Sequence, residues 1–193
     1  MGDVHAVRLV GGHPGVDFVN TLGGLKDRPD DEYLHAYGDL LIWSERSGLI
    51  DSELASTLTR AAERRPQPAT TALEGALQLR GHVDAILRAT LAGRSPRAVD
   101  LDAVRRAEVD ALAHAALSPH FDWTWTSTAL ERPLWPLAHA VLDLLRDKRL
   151  DRLGECERCR WLYLDTSANR SRRWCSMDAC GAIEKMRRHR AKH

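Results

Sequence analysis

Cys156-Glu157-Arg158-Cys159 and, after fifteen intervening residues, Cys175-Ser176-Met177-Asp178-Ala179-Cys180 hold every cysteine of this 193-residue chain. Each pair is close enough in sequence to supply two corners of a tetrahedron, and the loop between the pairs is long enough to close around one ion. The pattern predicts one Zn2+ bound by Cys156, Cys159, Cys175 and Cys180. Four sulfur ligands leave no open position for water or substrate, so the expected metal is structural. Two disulfides are the competing reading, set against a chain with no other cysteine and no evident secretory signal.

Working outward from the cysteines, Arg160-Trp161-Leu162-Tyr163-Leu164-Asp165 is an apolar stretch suited to a hairpin after the first pair. Cys180 leads through Gly181 into Ile183-Glu184-Lys185-Met186-Arg187-Arg188-His189-Arg190, which predicts a helix that starts at the metal. Knuckle, hairpin and helix in that order describe a treble-clef-like finger. A module this small has little core, so metal binding is expected to supply most of its folding free energy, on the order of 10 kcal/mol.

Charge sharpens the picture. From Arg170 to His193 there are eight Lys or Arg against two acids, which leaves residues 1–169 at −5 in a chain of net +1. A locally basic segment seeks polyanions even when the whole protein is near neutral. Arg170, Arg172 and Arg173 precede the third ligand, while Lys185, Arg188 and Lys192 can share a helix face with Arg187 and Arg190 flanking it. These eight cations are the candidate contacts to duplex DNA. A solvated helix, or one docked on the acidic body, is the bland alternative. No apolar run is long enough to span a membrane, which places the chain in the cytoplasm as an expectation.

Residues 1–150 read as a mainly helical body, with 151–193 as the finger. Val16 to Leu22 predicts two helical turns after the loop Gly11-Gly12-His13-Pro14-Gly15, with Asp17, Asn20 and Thr21 on one face. Asp31 is expected to cap a helix ending at Gly48, and Asp51 another reaching Arg65. Pro66-Gln67-Pro68 then breaks the chain before Thr71-x2-Glu74 opens a long helix to Gly93. A helix follows from near Asp100, and Pro133 leads a last one. Phe121 to Thr126 alternates aromatic and polar residues, predicting one strand with an unplaced partner and aromatics in the core.

Several of these segments resemble known families. Cys156-x2-Cys159, Tyr163-x-Asp165, Ser171-Arg172-Arg173-Trp174-Cys175-Ser176-Met177-x2-Cys180-Gly181 and Lys185-x-Arg187-Arg188-x-Arg190 together resemble the CGNR zinc finger of bacterial proteins. Asp17-Phe18-Val19-Asn20-Thr21-Leu22, with Trp43 and Gly48-Leu49-Ile50, resembles the ABATE domain that usually precedes that finger. The resemblance implies a stress-responsive transcriptional regulator, with DNA binding by the finger and a sensing or regulatory role for the body, which is expected to act as a sensor or dimerisation domain. The name-giving Cys-Gly-Asn-Arg reads Cys180-Gly181-Ala182-Ile183 here, so contacts made through that Asn and Arg are absent.

The body shows no assembled catalytic set. His13, Asp17, Asn20 and Thr21 beside the glycine-rich loop form the one polar cluster, readable as the rim of a small-molecule effector site or as structural caps. An enzyme using that cluster is disfavoured, because Gly11-Gly12-x2-Gly15 lacks a following phosphate-binding motif. A protein- or RNA-interaction module is the second alternative to a DNA-binding regulator. A single finger makes few base contacts, so a homodimer is expected to multiply them.

Overall fold

The structure, a computed structural model, describes residues 2–25 and 28–191. Among these residues it is mainly helical with three small antiparallel strand pairs. Packing divides it into two compact units, 34–146 and a discontinuous one formed by residues up to 33 together with 147 onward. The N-terminal segment therefore belongs to the same compact unit as the cysteines.

In the helical unit, α2 (Tyr37–Arg46), α3 (Ser52–Arg64), α4 (Pro66–Leu91), α5 (Ala98–Ala113) and α6 (Leu134–Arg146) pack around Leu40, Trp43, Leu58, Val83, Leu87, Leu137 and Leu144. Their ends follow local chemistry. Asp51 caps α3 by accepting from the Leu54 amide at 2.8 Å. Gly48 and Gly93, with φ of 72° and 65°, close α2 and α4 in Schellman geometry, Leu49 donating to Ser44 and Arg94 to Ala89.

Other boundaries depart from expectation. Asp31 lies in a strand, and α2 starts at Tyr37, where Asp39 reaches back to the amides of His35 and Ala36. Pro66 starts α4 at its first helical position, where no amide hydrogen bond is lost, so Thr71 and Glu74 are mid-helix and Thr71 bonds the Gln67 carbonyl. The aromatic strand shrinks to β4 (Trp123–Thr124), paired with β3 (Ala116–Leu117). Its aromatics are not all core: Phe121 is 82% exposed at a φ of 67°, and Trp123 is also exposed. Trp125 is half-buried and donates to the Ala111 carbonyl. Among the described residues no helix is long and apolar enough to cross a membrane.

In the other unit, α1 (Pro14–Val19) begins earlier than predicted, with His13 as its N-cap. It stops before Leu22, because β1 (Leu22–Leu25) turns extended to pair with β2 (Arg28–Glu32). After a 3-10 turn at Lys148–Arg152, β5 (Leu153–Glu155) pairs with β6 (Leu162–Leu164), Gly154 opposite Tyr163. The hairpin thus straddles the first cysteine pair instead of following it. A single π-helical turn, Met177–Gly181, delivers Cys180 and runs directly into α7 (Ala182–Arg190). The knuckle thus lies inside the hairpin, and the helix follows the second cysteine pair as expected of the finger.

Candidate metal centre and nucleic-acid interface

Cys156 and Cys159 sit in the turn between β5 and β6, where the Cys156 amide donates to the Trp161 carbonyl at 2.9 Å. Cys175 precedes the π-helical turn and Cys180 lies within it. These elements bring four buried sulfurs within 4.8 Å of one another, with Cys159–Cys175 and Cys175–Cys180 at 3.6 Å. A tetrahedron with Zn–S bonds of about 2.3 Å has edges of about 3.8 Å, so the four sulfurs fit one zinc ion. The chemistry agrees. Without a cation, the crowding of the thiols holds Cys156 well below the usual thiol range and pushes Cys159 and Cys175 up. Burial raises Cys180. A divalent cation is what stabilises all four as thiolates. The four cysteines form one structural zinc site.

The support for this centre comes from outside the finger's own sequence. Asn20, at the end of α1, donates from Nδ2 to the Leu162 carbonyl at 2.9 Å and accepts the Leu162 amide at 2.8 Å. It thereby acts as a strand partner for the free edge of β6, a role continued by the Gly11 carbonyl, which accepts from Leu164 at 2.8 Å. Asp17 accepts from the Gly11 amide at 2.7 Å, and Thr21 donates to the Phe18 carbonyl at 2.6 Å. Burial pushes the Asp17 carboxyl up to about 6, against the opposing pull of the Gly11 and Val10 amides and Arg172. The polar face His13, Asp17, Asn20 and Thr21 is thus turned onto backbone groups of its own unit.

Trp161 and Tyr163 pack with the cysteines, and Val10, Tyr33 and Trp174 lie against them. Trp161 lies directly on β1: a Cβ at Gly23 would fall 2.1 Å from its Nε1. Both tryptophans of the finger therefore pack around the four cysteines.

The eight candidate cations divide. Arg172 is half-buried over the Tyr163 ring, 4.2 Å from its centroid, and donates to the carbonyls of Val10 at 2.9 Å, Trp174 at 3.0 Å and Cys175 at 2.5 Å. Those bonds occupy its guanidinium within the fold. Arg173 pairs with Glu157 and lies over Trp174, yet stays half-exposed. Arg170, Lys185, Arg187, Arg188 and Arg190 are exposed, and Glu184 lies 3.5 Å from Arg187 and 3.6 Å from Arg188. Lys192 lies outside the described residues. Beside Cys175, residues 165–177 line an open groove of about 510 Å³, with Asp165, Ser171, Arg173 and Ser176 among its polar residues.

Sequence reasoning missed the Asn20–Leu162 pair, the Arg172 clamp and the seat of Trp161 on Gly23. Each joins residues more than 130 positions apart or turns a cation inward, and neither leaves a local signature; the clamp's one hint was Tyr163 nine residues before Arg172.

A helical unit with a discontinuous unit built on a four-cysteine centre defines a zinc-finger protein. The chain belongs to the ABATE family, which it matches over residues 12–148 and whose description reads "Putative stress-induced transcription regulator". Residues 152–193 match the CGNR zinc finger. No curated protein matches the chain. The sequence boundary near residue 150 and the packing boundaries at 33 and 146 divide the molecule differently, because α1 and β1 carry the edge contacts that the cysteine hairpin needs.

Proposed function

We propose that this zinc-binding regulator acts on transcription by binding duplex DNA through α7 and the loop before it. The observation that carries the reading is that α7 roots in the metal-bound turn and yet buries none of its nine residues. A nine-residue helix is too short to persist alone in water, so its order depends on the centre that anchors it. Arg170, Arg173, Lys185, Arg187, Arg188, Arg190 and Lys192 are assigned to phosphates and groove, and the hydroxyl-lined groove beside Arg173 offers further phosphate partners. Arg172 is assigned to holding the finger together. Asp17, Asn20 and Thr21 are read as support for the metal hairpin, because each side chain meets backbone at hydrogen-bond distance. No catalytic role is assigned.

Chelation tests the reading. Zinc-loaded protein is expected to bind a labelled random-sequence duplex, to lose that binding on zinc removal, and to recover it on zinc return. Equal binding by the metal-free protein contradicts the proposal, and preferential competition by single-stranded RNA over duplex DNA transfers it to RNA.

A further inference from the structure

Helix α7 is not uniformly basic on its exposed side. Ile183 is 41% exposed and Met186 53%, beside the four cations of the helix. Helical spacing aligns Ile183, Met186, Arg187 and Arg190 as i, i+3, i+4 and i+7, one stripe along the helix. Glu184, the least exposed charged side chain on α7, lies within 3.5 Å of Arg187 and 3.6 Å of Arg188, and both arginines stay exposed. The exposed stripe is thus half apolar and half cationic. Its cations match a polyanion, and its apolar half matches a polyanion that also displays methyl groups. Duplex DNA is such a polyanion in its major groove, where every thymine presents a C5-methyl beside the acceptors and donors of the base edges.

We infer that Ile183 and Met186 are specificity-determining residues that contact thymine methyl groups in the major groove while Arg187 and Arg190 hold the flanking phosphates. The inference rests on the DNA-binding reading above and adds what the helix selects. Side chains three residues apart on a helix stand about 5–6 Å apart. Successive bases on one strand rise about 3.4 Å, so the two side chains reach thymines on neighbouring steps. The preference is therefore for T-containing steps, set by methyl contact rather than by a hydrogen-bond code.

Removing only the methyl groups is the direct test. The zinc-loaded full chain is titrated against two duplexes, a dA strand paired with a dT strand and a dA strand paired with a dU strand, at one salt concentration. Burial of two methyl groups predicts that the thymine duplex binds roughly tenfold more tightly. The I183A/M186A variant, checked for retained zinc, is expected to bind the two duplexes with equal affinity. Wild-type protein that binds both duplexes equally overturns the inference while leaving DNA binding intact. Binding to neither duplex overturns the DNA reading and the inference with it. Parity between the duplexes together with a dimer that I183A/M186A converts to monomer assigns the stripe to a second copy of the chain instead.

Discussion

Asn20 makes two hydrogen bonds to the backbone of one residue, the amide and carbonyl of Leu162, in a buried setting. Truncation leaves two buried backbone groups without partners, which costs about 2–4 kcal/mol. N20A is therefore expected to lower the stability of zinc-saturated protein by that amount in urea titration, and a loss under about 1 kcal/mol contradicts the strand-partner role. Asp17 brings a pH dependence whose sign follows from burial. Its carboxyl sits at about 6 in the fold against 3.8 unperturbed. Between those values the folded state keeps a proton that the unfolded chain has released, so this stabilisation is full below about pH 4 and lost as pH rises through 6. The stability of wild type relative to D17N, measured at matched zinc, is expected to fall by about 1 kcal/mol from pH 5 to pH 7. A difference that does not change over that range contradicts the buried assignment.

At the scale of elements, β1 matters because a glycine lets an indole lie on its backbone. G23A places a methyl 2.1 Å from Trp161 Nε1, and Trp161 packs on the zinc ligands. Overpacking of this kind costs about 1–3 kcal/mol. The variant is expected to show a changed tryptophan emission and lower stability, whereas G38A, with open space around its Cβ, leaves both near wild type. What could be read in the sequence tracks with how local the determinant is. The Asp51 cap and the terminators Gly48 and Gly93 were legible, because each acts within its own turn. The cysteine cluster was legible because metal ligation fixes residue type and spacing together. Pro66 misled, since a proline that breaks one helix is equally suited to begin the next. Residues 22 to 32 misled for another reason: their helical and capping signals are overridden by pairing of β1 with β2. Phe121 and Trp123 misled because alternation reports a two-faced strand without reporting that the hairpin stands exposed.

At the scale of the molecule, the metal centre is completed by chain from both ends. A fragment of residues 147–193 keeps all four cysteines but lacks Asn20 and Gly11 on the edge of β6, the Val10 carbonyl under Arg172, and the Tyr33 and Gly23 contacts of Trp161. Several hydrogen bonds of about 1 kcal/mol each then vanish from the zinc-bound state. The fragment is expected to bind zinc roughly a hundredfold more weakly than the full chain in chelator competition, and equal affinity contradicts the shared unit. DNA binding by the basic helix that this centre holds is tested most directly by salt. If roughly five cations of the finger meet phosphates, log K for a random-sequence duplex falls against log salt with a slope of about −4.5, and R187A/R188A with zinc retained flattens it by about 2. A wild-type slope near zero, or a slope and affinity untouched by R187A/R188A, contradicts the account.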